Sequence, residues 1–197
     1  MNNFINPQLT KQVIIGTKSQ SRRKLFKMMN LKFQYRSANI NEKAVKDLKN
    51  DKYDALKIAK AKATHLSKKN KNKIIITFDT TILHIRKTIY KCHTKQCCKN
   101  TLKSFNNTSH NLYTGMVFMI NNSLIRSSLT KTKIVFKKNK IIDVNKYVER
   151  NFNQISSAVG CYNVEGRGKT FFKNVEKSYF NVIGIDIINF LKILRSI

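Results

Sequence analysis

The sequence has 197 residues and carries 39 Lys or Arg against 10 Asp or Glu, a formal net charge of +29 at pH 7. This length suits one domain, and 41% hydrophobic residues are enough to build its core. One Pro and six Gly exclude collagen-like and Pro-rich proteins, and no apolar run is long enough to cross a membrane. The N-terminal residues lack the basic and apolar regions of a secretory signal, so we expect a cytoplasmic protein without a membrane partner.

The positive charge has two possible origins. A basic surface can bind nucleic acid or another polyanion. However, Lys far outnumbers Arg, and Lys, Asn and Ile are abundant together, which indicates an A/T-rich coding bias. Nucleic-acid-binding proteins usually keep more Arg, because its guanidinium pairs with phosphate through two hydrogen bonds. We therefore favour coding bias and expect no dedicated nucleic-acid partner, although a nucleoside triphosphate would be attracted in either case.

The apolar patterns predict alternating strands and helices after a flexible polar tail at residues 1–11. The predicted strands are 13–16, 33–36, 73–78, a strand pair within 81–89, 112–120, 124–132, 133–136 and 170–173. One predicted helix follows the turn that begins at Thr17. The others cover 52–68, 94–105, 143–150 with Asp143 as N-cap, and 186–195. This alternation predicts an α/β fold with a twisted mixed sheet flanked by helices, in a single domain over residues 12–197.

The turn after the first strand is the first candidate site. Arg22 and Arg23 stand at the start of the predicted helix, where backbone N–H groups are exposed and hydroxyls are near. Together these groups can bind an anion, and a triphosphate is the natural ligand. The alternative is a capped helix with a solvated basic face, in which Thr17, Ser19 or Ser21 is the N-cap.

A carboxylate and a glycine-rich segment form two further candidates. Asp79 directly follows a buried strand and so should lie at the carboxyl edge of the sheet, where ligands bind in open α/β folds. It could act as a general base on water or bind magnesium, or it could simply begin a turn. The segment 160–168 has alternating Gly without the dinucleotide-binding spacing, and it could approach a ligand closely or form a hairpin turn.

Cysteines and histidines form a separate cluster. Cys92, His93, Cys97 and Cys98 are close in sequence, with His84 nearby. Their spacing is not a standard zinc pattern, and no second pair of ligands follows. We therefore expect free thiols rather than a zinc site.

Taken together, these motifs resemble the Maf family of nucleoside triphosphate pyrophosphatases from about residue 13 to the C-terminus. The resemblance rests on segments that occur in the order found in the family. They are the turn with Thr17, Ser19, Arg22 and Arg23, then Glu42, Lys62 in IAKAKA, Asp79-Thr80, Lys91, His110 to Gly115, and segments 160–168 and 178–184. The sequence departs from the family at Asn41, which replaces an acidic residue, and at Tyr90 and Cys92, which replace Gly and Pro.

The resemblance implies a fold and a reaction. The fold would have two lobes around a nucleotide cleft, with Asp79 on one side and Glu165 on the other, as in Maf and ITPase-like proteins. The reaction cleaves a nucleoside triphosphate between its α- and β-phosphates, with a divalent metal, Mg or Mn. By resemblance Asp79 would be the general base and would share the metal with Glu42. Residues expected to contact the phosphate chain are Thr17, Ser19, Arg22, Arg23, Lys62 and Lys91.

Three residues bear on the choice of base. Ser21 fills an extra position found in the 7-methyl-GTP branch of the family, without that branch's usual Trp, and Glu165 also matches that branch. Thr80 instead resembles the dTTP/UTP branch. An acidic side chain can accept hydrogen bonds from guanine and favours a cationic methylated base, so we predict 7-methyl-GTP. The alternatives are a dTTP/UTP pyrophosphatase and a basic nucleic-acid-binding protein on a degenerated enzyme scaffold; a homodimer is also possible.

Overall fold

The computed structural model describes residues 5–45 and 51–197. The helices are α1 (Pro7–Gln12), α2 (Gln20–Met28), α3 (Glu42–Val45), α4 (Asp54–Lys69), α5 (Lys95–Phe105), α6 (Ile141–Ile155), α7 (Tyr179–Ile183) and α8 (Ile187–Arg195), with a 3-10 turn at Arg167–Phe171. The strands are β1 (Val13–Gly16), β2 (Gln34–Arg36), β3 (Ile74–His84), β4 (Lys87–Ile89), β5 (Ser109–Ile120), β6 (Ser123–Phe136) and β7 (Phe172–Glu176). Over the described ranges, no helix is both long enough and apolar enough to cross a membrane.

The described strands form a seven-stranded mixed sheet. Its order is β2-β1-β3-β5-β6-β7, with β4 paired to β3. β1 runs parallel to both β2 and β3, with Ile15 opposite Tyr35 on one side and Ile76 on the other. β4 is antiparallel to β3, and β7 is antiparallel to β6. The predicted α/β class, with a mixed sheet flanked by helices, is confirmed.

The chain divides into two compact units. The first unit comprises the described residues up to Asp79 together with Thr114–Thr130 and Gly184–Ile197, and the second unit comprises Thr80–Tyr113 and Lys131–Ile183. Each unit is assembled from separate stretches of the chain. No linker therefore marks the division, and the sequence pattern predicted one domain over residues 12–197.

The central strands of the first unit are buried on both faces. Along β1, Val13 and Ile15 pack in one apolar cluster, while Ile14 packs in another. The same alternation occurs in β3, because successive strand residues point to opposite faces. Phe26 of α2 and Phe190 of α8, with ring centroids 5.1 Å apart, belong to the first cluster. This two-sided burial explains the continuous apolar runs in these strands.

In the second apolar cluster of the first unit, α4 packs on the strands largely through two small residues. Ala59, Ala63 and Leu66 pack with Ile14 and Val117, and the two alanines are fully buried. Short side chains let a helix approach a sheet closely. The backbone of α4 is therefore held against the strands, which fixes where its longer side chains emerge.

The second unit has an aromatic core. The ring centroids of Phe105 and His110 are 4.2 Å apart, and the His110 Nε2 atom lies 2.9 Å from the Tyr162 hydroxyl. Burial lowers the pKa of His110 to about 3, so its imidazole is neutral at physiological pH. His110 thus serves as a polar member of the core.

Part of the stretch predicted as a flexible polar tail forms a short helix. Ile5 is buried, and α1 begins after Asn6, whose side chain accepts the backbone N–H of Gln8. Pro7 occupies the first helical position, where its fixed φ angle is favourable. The tail is ordered because this short helix has its own cap and an apolar anchor; residues 1–4 lie outside the described ranges.

Several predicted elements have different bounds in the structure. The stretches 112–120, 124–132 and 133–136 form two long strands, β5 and β6, joined at Asn121 and Asn122, which both have positive φ. Residues 170–173 belong to the 3-10 turn and to the start of β7. Asp143 is not the N-cap of α6, because the helix already begins at Ile141 after Lys140.

Gly115 is required by close packing between β5 and α4. A Cβ atom there would lie 2.5 Å from the Ala55 carbonyl oxygen and 2.5 Å from the Leu56 nitrogen, so backbone would have to move. We expect Gly115→Ala to lower the free energy of unfolding by about 1–3 kcal/mol in urea denaturation. Gly166→Ala is the control, since its nearest atom, on Asn163, would be 3.4 Å away, and it should change stability by less than about 0.5 kcal/mol. Equal stability of the two variants would contradict this packing argument.

Candidate functional site

The turn between β1 and α2 is held by its own hydroxyls. Ser19 is the N-cap of α2, and its side chain accepts the backbone N–H of Arg22 at 3.3 Å. The Thr17 hydroxyl oxygen accepts the backbone N–H of Ser19 at 3.1 Å. The capping interpretation is therefore confirmed for Ser19. A capped helix still presents the positive end of its dipole, so capping and anion binding are compatible.

Arg22 is held inside the first unit. Its Nε donates to the Gly184 carbonyl oxygen at 2.9 Å, and its guanidinium carbon lies 5.5 Å from the centre of the Phe78 ring. Burial lowers the pKa of Arg22, while the carboxylates of Asp79 and Glu42 oppose that shift. An arginine keeps its proton under such conditions, so a fixed positive charge lies at this partly buried place.

Gly184 is a site residue that sequence reasoning did not single out. Its φ is +100°, and a Cβ atom there would lie 2.6 Å from the Arg22 Nη2 atom. Glycine is thus required both for the backbone conformation and for the space that the guanidinium fills. The sequence contained one signal, because Gly184 ends the segment 178–184 that matches the family.

Arg23 is placed differently from Arg22, since consecutive helix residues do not share a face. Arg23 is exposed, donates from Nη2 to the Thr17 carbonyl oxygen at 2.9 Å, and lies with its guanidinium carbon 4.9 Å from the centre of the Tyr35 ring. Burial raises the pKa of Tyr35, and the positive charge of Arg23 opposes the shift. Ser21 is partly buried on the same first turn of α2.

Lys62 joins two predicted site carboxylates. Its Nζ atom lies 2.7 Å from Asp79 Oδ1 and 2.7 Å from Glu42 Oε1. The side chains of Lys62 and Asp79 are only 14% and 13% exposed. We call Arg22, Glu42, Lys62 and Asp79 the charged cluster. The structure therefore brings together four of the residues that sequence reasoning selected, all within the first unit.

Asp79 lies within β3 rather than after its end, which corrects the predicted strand boundary. β3 continues to His84, but its parallel pairing with β1 ends where Gly16 lies opposite Thr77. Asp79 is thus just beyond the carboxyl end of β1. Asp79 therefore lies at the carboxyl edge of the parallel part of the sheet, as expected, although β3 continues beyond it.

The surroundings of Asp79 alter its acidity. Burial raises the pKa of Asp79, Lys62 opposes this through its charge and hydrogen bond, and the nearby carboxylate of Glu42 adds to the increase. A carboxylate with a raised pKa accepts a proton more readily than an ordinary aspartate. The group therefore suits general-base chemistry on water.

The two carboxylates also suit a divalent cation. Glu42 and Asp79 offer the hard oxygen donors that magnesium and manganese prefer. The Lys62 ammonium contacts both carboxylates and offsets one of their two negative charges, so a further cation would be attracted there. Asn41, which replaces an acidic residue of the family, has its side-chain oxygen 3.4 Å from the backbone N–H of Ala44, at the start of α3.

The remaining predicted residues belong to the second unit. Thr80 is partly buried and follows Asp79 in β3, and Lys91 is exposed between β4 and α5. Glu165 is half-buried, and its backbone N–H donates to the Asn163 side-chain oxygen at 2.9 Å. Burial and the charge of Glu165 raise the pKa of Tyr179, so the Glu165 carboxylate is close to that hydroxyl.

The expectation of four free thiols is wrong for two of them. Cys92 and Cys97 form a disulfide, whereas Cys98 and Cys161 are free and buried. The sulfurs of Cys92, Cys98 and Cys161 all lie within 4.8 Å of one another. Sequence spacing did not associate Cys161 with the others, because it comes from the distant glycine-rich segment.

Comparison with known proteins gives consistent matches over nearly the whole chain. A family profile described as Maf-like protein matches residues 12–197. A dTTP/UTP pyrophosphatase of Clostridium botulinum is 25% identical over 181 residues, 90% of this chain and 92% of that protein. A 7-methyl-GTP pyrophosphatase of Brucella suis is 26% identical over 192 residues, 95% of this chain and 96% of that protein.

Two further similarities were found. A nucleoside triphosphate pyrophosphatase of Pelagibacter ubique is 24% identical over 195 residues, covering 95% of this chain and 100% of that protein. A solved HAM1 protein from Coxiella burnetii has a TM-score of 0.41 at 11% identity, covering 66% of this chain and 74% of that one. The latter likeness is too low to decide the fold, which the strand order establishes directly.

The charged cluster predicts a pH-dependent effect of removing Lys62. In Lys62→Met, the buried Asp79 carboxylate loses its partner, so its folded-state pKa rises further above its unfolded value. At low pH Asp79 is protonated and the loss is small; as pH rises, the unpaired charge must be buried or neutralised. We expect stability to fall by about 2–4 kcal/mol at pH 8 and by clearly less at pH 5, in urea denaturation.

Lys57→Met is the control for this prediction. Lys57 pairs with Asp51 at 2.9 Å, but its side chain is 38% exposed, so its removal should cost only about 0–1 kcal/mol at pH 8. A Lys62→Met loss that is the same at both pH values would contradict the coupling to Asp79.

Proposed function

The chain belongs to the Maf family, and we propose that it hydrolyses 7-methyl-GTP, or a related non-standard nucleotide, to the monophosphate and pyrophosphate. At the coarser level it is a nucleoside triphosphate pyrophosphatase, a hydrolase acting on acid anhydrides. The family match and relatives that carry this activity in their names support that statement. The observation that carries the proposal is the charged cluster, in which Lys62 joins Glu42 and Asp79 beside the partly buried Arg22.

In the proposed reaction Asp79 is the general base. Its carboxylate takes a proton from water while the water oxygen bonds to the α-phosphorus. The bond from that phosphorus to the bridging oxygen breaks, and pyrophosphate leaves. Two features of the structure support this role: burial raises the pKa of Asp79, and the Lys62 ammonium keeps the carboxylate in one orientation.

The phosphate chain is proposed to bind next to the same residues. Arg22 is a partly buried fixed charge. The Lys62 ammonium has three N–H donors, and it contacts two carboxylates. Within the turn the Thr17 and Ser19 hydroxyls act as acceptors, and a hydroxyl that accepts can also donate its own O–H, here to a phosphate oxygen. Arg23 and Lys91 are exposed cations that would add attraction for the triphosphate.

We propose that Glu42 and Asp79 hold a magnesium or manganese ion. Their oxygen donors fit such an ion when substrate phosphates supply further ligands. When bound, the metal would neutralise phosphate charge and polarise the phosphate oxygens. The role of Lys62 is to keep the two carboxylates together, since both contact its ammonium.

Three residues bear on the proposed choice of base. Ser21 and Glu165 support 7-methyl-GTP by resemblance, and the half-buried Glu165 carboxylate would favour a cationic base. Thr80 supports the dTTP/UTP alternative. Relatives of both kinds are about equally similar, at 25% and 26% identity. A cytoplasmic location, a homodimer and the absence of a dedicated nucleic-acid partner stay predictions.

Substitution of the proposed base tests the reaction. We expect Asp79→Asn to lower kcat for pyrophosphate release about 10²–10⁴-fold, because the amide cannot accept the proton, while nucleotide binding changes only a few-fold. Asp51→Asn is the matched control; Asp51 is an aspartate of the same unit that pairs with Lys57, and its loss should leave turnover unchanged. Near-normal turnover by Asp79→Asn would show that another group is the base.

A nucleotide panel tests the substrate. Pyrophosphate release is measured from 7-methyl-GTP, GTP, UTP, dTTP and CTP with magnesium or manganese, and 7-methyl-GTP should be hydrolysed fastest. Glu165→Gln should lower kcat/KM for 7-methyl-GTP about 10-fold relative to UTP, because the negative charge that favours the methylated base is lost.

The other outcomes of the panel are distinct. Preference for dTTP or UTP would overturn the proposed base while retaining the reaction. Failure to release pyrophosphate from any nucleotide, with steeply salt-dependent binding to polynucleotides, would instead favour the nucleic-acid-binding alternative.

A further inference from the structure

We propose that the reduced chain binds one structural zinc ion through the sulfurs of Cys92, Cys97, Cys98 and Cys161, which we call the four-cysteine cluster. These are all the cysteines in the sequence, and all belong to the second unit. Sequence spacing argued against zinc because Cys161 was not recognised as a fourth ligand. This inference is independent of the nucleotide site.

The sulfur positions suit a tetrahedral site. Those of Cys92, Cys98 and Cys161 lie within 4.8 Å of one another, and all three residues are buried. Cys97 is bonded to Cys92, so its sulfur adjoins the group, and the two Cα atoms are 5.4 Å apart. Four thiolates around zinc, each about 2.3 Å from the metal, have sulfurs about 3.8 Å apart. Small side-chain movements would therefore complete the site after reduction.

Three parts of the second unit deliver these sulfurs. Cys92 comes from the segment before α5, Cys97 and Cys98 come from the first turn of α5, and Cys161 comes from the glycine-rich segment. The first turn is fixed because the backbone N–H of Cys97 donates to the Thr94 side chain at 3.2 Å. The positive end of the α5 dipole also favours thiolate over thiol at this place.

The backbone at Cys161 is in an uncommon conformation. Cys161 has a φ of +59°, directly after Gly160 with a φ of +84°. Side chains other than glycine, asparagine and aspartate adopt this region rarely, and such residues persist where the surrounding structure requires them. Bringing the Cys161 sulfur next to the other three sulfurs would be a reason to keep this backbone conformation.

Hydrogen-bond donors surround the sulfurs. The Thr101 hydroxyl oxygen lies 3.3 Å from the Cys92 sulfur, and the backbone N–H of Cys97 is fixed in the same turn by the Thr94 side chain. Donors of this kind stabilise thiolates that bind metal. Burial, however, raises the pKa of the Cys161 thiol, as does the adjacent Cys98. A zinc ion would offset that cost by binding the thiolate sulfurs directly.

Formation of the site requires reduction of the disulfide between Cys92 and Cys97. A dithiol reductant supplies two electrons and two protons, becomes a disulfide itself, and leaves both cysteines as thiols. Four thiols then bind Zn²⁺ and release four protons to solvent. The resulting site has a net charge of −2, which a chain with a net charge of +29 tolerates.

Metal titration of the full chain tests the proposal. The protein is reduced with a dithiol without oxygen, freed of reductant, and titrated with Zn²⁺ or with Co²⁺ as a spectroscopic probe. We expect about one metal ion per chain and the visible absorption of tetrahedral cobalt–thiolate coordination. Cys98→Ser and Cys161→Ser should bind zinc at least about 100-fold more weakly. His93→Ala, next to Cys92, is the matched control and should bind normally.

A second measurement on the unmutated chain covers the case in which the cysteine variants do not fold. Bound zinc should protect all four cysteines together from alkylation, as counted by mass spectrometry, and a chelator should expose all four. Absence of metal binding by the reduced chain would overturn the proposal. So would normal zinc affinity in a folded Cys161→Ser variant, or loss of zinc in His93→Ala.

Discussion

One ammonium group, that of Lys62, holds two carboxylates together in the first unit. Each contact is 2.7 Å long, and the side chains of Lys62 and Asp79 are almost fully buried. The carboxylates of Asp79 and of the more exposed Glu42 repel each other, so positive partners are needed to hold them in one place. Lys62 and Arg22 supply them, and the same groups would meet the charges of a triphosphate and a metal ion.

The position of this cluster follows from how the strands are buried. β1 and β3 are covered on both faces, which leaves their ends as the places where polar side chains can lie near the parallel strands. Asp79 lies just beyond Thr77, the last residue of β3 that pairs with β1. Ala59 and Ala63 hold α4 against the strands, so Lys62 of that helix reaches Asp79. Packing of small apolar residues thus determines the geometry of the charged residues.

The second unit uses a different device, because its sulfur atoms converge within an aromatic core. Cys98 and Cys161 are core residues beside Phe105 and Tyr162, and the disulfide partner Cys92 joins them. The disulfide joins the start of α5 to the segment that precedes this helix. The proposed zinc ion would also join it to the glycine-rich segment. Glu165, four residues after Cys161, lies in that glycine-rich segment, so the cluster and the proposed specificity residue share one short stretch of chain.

Apolar periodicity predicted the α/β class, and local motifs that resemble the Maf family pointed to the family and to the four residues of the charged cluster, because both signals lie in short stretches of consecutive residues. The sequence by itself did not determine that Asp79 lies inside a longer strand, that Gly184 makes room for Arg22, or that Cys161 joins Cys92 and Cys98. Those facts depend on contacts between residues far apart in the chain. Only the tertiary structure decides such contacts, since strand pairing and close packing bring the distant segments together.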